Sequence, residues 1–404
     1  MLGISMKTDA VYCGDCQFVL GNTNEFPEES VDLIYADPPF FSNRNYEVIW
    51  GDGYERRAFV DRWKGGAHGV QNYVSWMKPK IEECHRILKK TGSMYLHCDW
   101  HANAYLRILM DQVFTESHFR NEIIWYYRGG GVPKDSFAKR HDTILFYTKG
   151  TDWTFNVDAV RTEYSAESLE RLQYKARSFR GKKVYDNYEA NPKGKHPDDV
   201  LEIQPTMPSS KERLGYPTQK PERLLEVLVK ASSNKGDVVL DPFCGCGTSI
   251  AVAQKLGRKW VGVDVSPTAC QLIVKRMRSL GVAIKRDDVI GLPKTETQLR
   301  SMEPFEFQNW VFRTLHGRVS TRLRGDMGID GHVMGEPVQV KQSEGVGRNV
   351  VDNFHAAIVR DKKTKGTIVA LSFGSGAYEE VARLKNEGGL EITLKTLKDL
   401  LEED

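Results

Sequence analysis

Several absences narrow what this chain can do. No apolar run approaches the ~18 residues that a membrane span requires, so no membrane partner is expected. The amino terminus shows no charged-then-apolar leader pattern, which points to the cytoplasm, associated with the nucleoid, as the expected location. The seven cysteines have neither matching pairs nor histidines at set distances. Cys13-Gly-Asp-Cys16 stands alone and Cys244 and Cys246 lie two apart, so reduced core thiols are expected rather than a zinc site. A strong charge of one sign is missing too. With 57 Lys and Arg against 54 Asp and Glu, the net charge is only +3, so affinity for a polyanion has to come from local patches.

What is present describes a globular chain. Its 404 residues, 27% charged and 40% hydrophobic, supply ample core and suggest two or three domains. The most informative stretch runs from Val238-Val-Leu-Asp-Pro-Phe-Cys-Gly-Cys-Gly-Thr248 to Trp260-Val-Gly-Val-Asp264. Val238 to Leu240 reads as a strand buried on both faces. Gly245 and Gly247 then allow a sharp turn and close approach of a ligand, and Thr248 is the expected helix N-cap. A second strand ends at Asp264, whose carboxylate can accept hydrogen bonds from ribose hydroxyls. Two further absences exclude other nucleotides. Ile250 occupies the place of the third glycine of a dinucleotide fingerprint, and no lysine lies between Gly247 and Thr248 as a P-loop demands. A nucleoside pocket remains.

Two hundred residues earlier, Val31 to Ala36 has a strand pattern that stops at Asp37-Pro38-Pro39-Phe40. Two prolines cannot donate to a sheet and stiffen the chain. Asp37 and the Pro38 carbonyl can each accept one N–H of an exocyclic amine, while Phe40 can stack on a base. Acceptors held in place against developing positive charge constitute electrostatic catalysis.

These residues resemble a known family. Asp37-Pro-Pro-Phe40 looks like the catalytic motif of amino-group DNA methyltransferases, and Phe243-Cys-Gly-Cys-Gly247 like their S-adenosylmethionine motif. Tyr216-Pro-Thr-Gln-Lys-Pro221 is similar to the motif just before it. The catalytic motif comes first, which is the order of the β group, and the likeness covers roughly residues 8–280. The resemblance implies a catalytic set of Asp37, Pro38, Pro39 and Phe40. The implied cofactor set is Asp241, Phe243, Gly245, Gly247, Thr248, Asp264, Gln219 and Lys220. Asp before Pro-Pro in that family usually goes with adenine.

Alternating strands and helices imply an α/β fold with a mostly parallel, Rossmann-like sheet, whose ligands bind beyond the carboxyl ends of the strands. A helix is expected over 70–88, bent at Pro79 and ended by Gly92. Residues 41–68, with Arg44, Tyr46, Trp50, Arg56, Arg57 and Arg62, have the composition of a mobile loop closing over DNA. Between Gly150 and Gly215 the alternation fails. There Arg161, Arg171, Lys175, Arg177, Arg180, Lys182, Lys183, Lys193 and Lys195 interleave with Tyr164, Tyr174, Phe179 and Tyr185, a pattern suited to phosphate and base contacts. In the β group, target recognition falls in this interval.

Residues 289–302 read as a linker, and residues 303–404 as a second domain after a methyltransferase domain of residues 1–288. Glu306 lies in a helix, while Gly328 to Val333 and Val338 to Gln342 read as strands joined by Met334-Gly-Glu-Pro337. Pairing of Val333 with Val338 would set Asp330 opposite Lys341, with Gln339 on the same face. A carboxylate and an amide oxygen can hold Mg²⁺ while a lysine orients water. This resembles an Mrr-type nuclease domain, which implies a site of Asp330, Gln339, Lys341 and Glu306, the first two as metal ligands. Arg313, Arg318, Arg322, Arg324 and Lys362-Lys-Thr-Lys365 add nearby positive charge.

The sequence therefore suggests a site-specific methyltransferase acting on a flipped base of double-stranded DNA, fused to a Mg²⁺-dependent endonuclease, with a homodimer as a candidate assembly. The alternative is a solitary methyltransferase, for adenine or for cytosine N4, whose C-terminal domain only binds DNA.

Overall fold

The computed structural model describes residues 6–41, 44–49, 55–61, 69–129, 131–173, 190–207, 209–210, 212–214, 216, 218–315, 317–320, 328–388 and 390–403. In chain order the strands are β1 (Ala10–Cys13), β2 (Val31–Ala36), β3 (Arg44–Ile49), β4 (Glu55–Asp61), β5 (Leu88–Cys98), β6 (Phe119–Tyr126), β7 (His141–Thr148), β8 (Val200–Glu202), β9 (Val238–Asp241), β10 (Lys259–Asp264), β11 (Arg318–Val319), β12 (Gly331–Val333), β13 (Glu336–Lys341), β14 (Lys365–Ala370) and β15 (Glu391–Thr396). The helices are α1 (Cys16–Leu20), α2 (Gly69–Ile87), α3 (Asn103–Phe114), α4 (Ala166–Gln173), α5 (Glu222–Ser232), α6 (Thr248–Lys255), α7 (Pro267–Ser279), α8 (Glu296–Arg300), α9 (Pro304–Thr314), α10 (Arg348–Arg360), α11 (Ser375–Gly388) and α12 (Leu397–Glu403).

β2 and β9 carry apolar side chains on both pleats, so they can only be central strands. They lie side by side in an eight-stranded sheet of order β1-β10-β9-β2-β5-β7-β6-β8. In this sheet β7 alone runs against the rest. One core covers each face. Leu20, Met77, Ile81, Leu106 and Leu240 belong to one, and Val239, Leu225, Ile250, Trp260 and Ile273 to the other. Because β1, β10, β9 and β2 are parallel neighbours, their carboxyl ends open on one edge. Gly14, Asp37, Pro242 and Asp264 therefore meet there.

A second sheet, in the order β11-β12-β13-β14-β15, serves the C-terminal segment. Phe307, Trp310, Val311, Val338 and Val369 pack on one face of it, and Val351, Phe354, Ile358 and Ile368 on the other. Among the described residues no helix is long and apolar enough to cross a membrane.

Local details depart from the expectations in four places. Within 41–68, β3 and β4 pair as an antiparallel hairpin, while Trp50 and Arg62 lie outside the described residues. Gly92 does not end a helix. α2 runs through Pro79 to Ile87, and Gly92 sits inside β5, where the pairing with β2 slips between Val31 and Leu33. The cap of α6 is Gly247, in the left-handed region at φ +77°, and Thr248 is the first helical residue. The fourth is the C-terminal hairpin. Its turn is Met334-Gly335 alone, both with positive φ (+49° and +82°), and Val333 pairs with Glu336. Two left-handed residues suit the twist of a tight hairpin better than a four-residue loop does. The register consequently moves by two residues from the expected one.

Of the insert, α4 and β8 are described, β8 pairing with β6 at the sheet edge. Tyr174, Lys175, Arg177, Phe179, Arg180, Lys182, Lys183 and Tyr185 lie outside the described residues, as do Arg322 and Arg324. Three described cations of the insert are engaged locally. Arg161 and Lys193 share Asp158, at 2.7 and 2.5 Å, and Lys195 pairs with Asp198 at 2.5 Å.

Candidate active site

At the carboxyl edge of the large sheet lies a cavity of about 460 Å³. Asp37 to Phe40 form one side, and Phe243 to Cys246 with Asp264 form another. Gly245 has φ +53°, and a Cβ there would stand 3.1 Å from the ring of Tyr216. Glycine is thus favoured by conformation, and a Cβ there would crowd the Tyr216 ring. Asp264 holds the turn, its carboxylate accepting the Gly245 N–H at 2.7 Å and the Ser266 N–H at 2.8 Å. Each oxygen keeps a second lone pair for a ligand hydroxyl. Burial pushes the Asp264 carboxyl up to about 6, against the pull of those two N–H groups.

Asp37 follows directly on β2, where the two prolines end the ladder. Its two oxygens accept from the Lys220 ammonium at 2.9 and 2.7 Å, in a pair only 7% and 16% exposed. Two lone pairs remain for an amine. The Tyr73 hydroxyl donates to the Pro39 carbonyl at 2.8 Å, whereas among the described residues none donates to that of Pro38. Phe40 stacks on His97 with ring centres 5.6 Å apart at 24°. His97 is fully buried, with Tyr35 at 2.8 Å from Nδ1 and Asp142 at 3.2 Å from Nε2. Burial first, then the charge of Asp37, pushes the Tyr35 phenol well above its ordinary value, so it donates to Nδ1 and Nε2–H faces Asp142. That chain braces Phe40, which lines the cavity, and the Lys220 ammonium stands over the same ring, 4.9 Å from its centre.

On the C-terminal hairpin, the Asp330 N–H donates to the Val338 carbonyl at 2.9 Å. The Val340 N–H donates to the Asp330 carboxylate at 2.7 Å. Asp330 therefore sits beside Gln339, not opposite Lys341, which lies one pleat further along the same face. Gln339 is 4% exposed, and its Oε1 has no hydrogen-bond partner among the described residues. An orphaned buried amide oxygen beside a carboxylate is the environment a hard cation satisfies.

Glu306 corrects the expectation. Gln339 pairs with Ile368 and so faces the α10 side, whereas Phe307 and Trp310 pack α9 on the opposite face of that sheet. Its carboxylate instead accepts from Ser266 at 2.5 Å and Thr268 at 3.1 Å.

Comparison with known proteins agrees with this geometry. The family profile described as DNA methylase (N6_N4_Mtase) matches residues 31–275. The chain belongs to this DNA methylase family. A second profile, restriction endonuclease (Mrr_cat), matches residues 299–403. DNA adenine methyltransferase YhdJ of Escherichia coli (strain K12) is 31% identical over 64% of this chain and 80% of its own. Type II methyltransferase M.HpaI of Haemophilus parainfluenzae is 30% identical over 65% and 73%. The solved PvuII DNA methyltransferase (cytosine-N4-specific) is 18% identical, with a TM-score of 0.48 over 70% of this chain and 90% of that one. The protein is thus an S-adenosylmethionine-dependent DNA amino-methyltransferase with an Mrr-like domain.

Within this DNA methylase, Asp241, Phe243, Thr248 and Gln219 line the cavity and also make contacts that shape it. Asp241, 3% exposed, accepts the Phe243 N–H at 3.0 Å and the Ser249 hydroxyl, which shapes the glycine turn from behind. Burial raises its carboxyl to about 7. The Thr248 hydroxyl accepts from Arg276 at 2.9 Å. Gln219 clamps the preceding loop, bonding Leu214 N–H at 2.9 Å and the Glu212 carbonyl at 2.7 Å. Phe243 leans on Trp76, with ring centres 6.1 Å apart.

Sequence reasoning missed Lys80, Trp76 and Glu303, which also line the cavity. Lys80 is 3% exposed and pairs with Asp15 at 3.1 Å. A lysine seven residues after Tyr73, within the stripe of Tyr73, Met77, Ile81 and Cys84, was the available signal.

If Asp264 takes the ribose hydroxyls, its raised carboxyl makes binding depend on pH. Ribose hydroxyls need the ionised acceptor, so ligand binding lowers this pKa and protonation opposes binding. Titration calorimetry should find S-adenosylmethionine affinity flat above pH 7. Below about 6 it should fall toward roughly tenfold per pH unit. The fall should vanish in Asp264→Asn; an affinity constant from pH 8 to 5 in the wild type refutes the role.

Proposed function

We propose that the protein methylates adenine N6 at a specific site in double-stranded DNA. The carrying observation is that the Asp37 tetrapeptide and the Gly245–Asp264 nucleoside elements line one cavity. When bound, S-adenosylmethionine supplies an electrophilic methyl group on a sulfonium. The cavity suits it, with a tight glycine turn and a strand-tip carboxylate that retains lone pairs. Asp37 and the Pro38 carbonyl accept the two amine N–H groups and draw the nitrogen lone pair toward the methyl carbon. Phe40, backed by His97, receives the flipped base. The product ammonium is acidic and releases its proton to solvent without a raised-pKa base. Adenine is favoured by Asp ahead of the two prolines and by the relative named as an adenine methyltransferase.

The C-terminal domain, on this reading, cleaves DNA with Mg²⁺ held by Asp330 and Gln339, with Lys341 orienting water. One observation favours the second reading, a methyltransferase whose C-terminal domain only binds DNA. Glu306 faces away from the hairpin, which removes one carboxylate from the expected metal set. Nucleoside analysis of plasmid DNA incubated with protein and S-adenosylmethionine, without Mg²⁺, tests the target. N6-methyladenine is expected; N4-methylcytosine alone would overturn the adenine assignment.

A further inference from the structure

Among the described residues, all that line the cofactor cavity belong to the N-terminal 265 residues except Glu303. This residue caps α9, its carbonyl accepting the Phe307 N–H at 3.0 Å, and so belongs to the endonuclease-like domain. α9 is bolted to the methyltransferase domain by a small buried polar cluster. Glu306 accepts from the Ser266 and Thr268 hydroxyls, and Asn309 reaches the Thr268 hydroxyl at 3.5 Å. All four side chains are at most 6% exposed. Ser266 also caps α7 through the Ala269 N–H, and its own N–H holds Asp264. A continuous series of contacts thus runs from Asp264 through Ser266 to Glu306. Glu303 lies one helical turn before Glu306, on the same side of α9.

The charges in the cavity show what Glu303 has to offer. Lys80 pairs with Asp15, Lys220 pairs with Asp37, and Asp264 is bonded to two backbone N–H groups. The two lysines are therefore each matched by a carboxylate already in place. Glu303 adds a carboxylate to the same lining, against a cofactor of net positive charge whose nucleoside offers N–H and O–H donors.

We propose that Glu303 is a cofactor-binding residue supplied by the endonuclease-like domain, with Glu306 as the positioning residue that seats it. The inference rests on the reading of this cavity as the S-adenosylmethionine site. Cofactor loading and the docking of the C-terminal domain are then coupled, and the coupling is reciprocal. A methyltransferase loaded with cofactor grips its endonuclease-like domain more tightly than an empty one.

Calorimetry on the full chain with S-adenosylmethionine is the first test. Glu303 is exposed, so Glu303→Ala should fold and bind about five- to tenfold more weakly, the loss of one charge-assisted hydrogen bond partly open to water. Glu303→Gln should fall between. Hydrogen exchange gives a readout independent of affinity. Saturating cofactor should slow the amides of residues 304–314 in the wild type, and the effect should shrink in Ser266→Ala with Thr268→Val. Wild-type affinity in Glu303→Ala, or exchange in α9 indifferent to cofactor, overturns the inference. Asp264→Ala separates the two levels. If it too binds normally, the cavity assignment fails; if it loses binding while Glu303→Ala does not, only the interdomain inference fails.

Discussion

Asp37→Ala should lower methyl transfer by roughly a hundred- to a thousandfold while S-adenosylmethionine still binds, because one preorganised acceptor of such a site is worth about that much. Alanine removes the oxygen proposed to draw the amine lone pair out of ring conjugation. It also strands the Lys220 ammonium, whose two short contacts are both to Asp37 and whose side chain is 7% exposed. A buried charge stripped of its partner destabilises a fold by about 3–5 kcal/mol. Part of any loss could therefore come from unfolding, and two measurements separate the effects. Thermal unfolding of the double variant Asp37→Ala, Lys220→Met should recover much of the stability, since the unpaired charge is gone. Methyl transfer should not recover with it. Restoration of activity in the double variant would mean that Asp37 serves only to neutralise Lys220.

Lys341→Ala should abolish Mg²⁺-dependent nicking of plasmid DNA, by roughly 10²–10⁴-fold if the lysine orients or activates water, and leave the methyl transfer of the same preparation intact. Lys341 lies on the smaller sheet and Asp37 follows a strand of the larger one, so the substitution removes no contact of Asp37. Lys341 is half-buried at the end of β13, one pleat beyond Gln339, so its removal opens no large core cavity. Gln339→Ala should reduce nicking as well, with partial rescue at higher Mg²⁺, because the orphaned Oε1 is the proposed ligand. If the wild-type chain fails to nick any DNA with Mg²⁺, methylated or unmethylated, the endonuclease reading falls and the DNA-binding role of this domain stands.

How much was legible beforehand differed from residue to residue for physical reasons. Asp37-Pro-Pro-Phe40 and the Gly245–Gly247 turn announce themselves because their chemistry is local. Two successive prolines stop β2, and glycine is the residue that most readily takes φ +53° or +77° in a turn a few residues long. The hairpin of the C-terminal domain was legible as a hairpin but not in register. Whether Met334-Gly335 or Met334 to Pro337 forms the loop depends on whether methionine accepts φ +49°, which pairing energy and not propensity decides. Glu306 was read in the right helix and given the wrong partner, since helix periodicity leaves open which layer that helix covers.

By itself the sequence determined that a strand ends in a rigid acceptor array, that another opens a glycine hollow, and that a third carries a carboxylate at its tip. These are short-range consequences of residue type. Only the tertiary structure decided that Lys220 would hold Asp37 across 183 residues of chain, that Lys80 would meet Asp15, and that a helix of the endonuclease-like domain would seat Glu306 on Ser266 and Thr268. Buried charges must find partners wherever the packed layers bring them together, and the order of strands in the sheet, which no local pattern encodes, sets who those partners are.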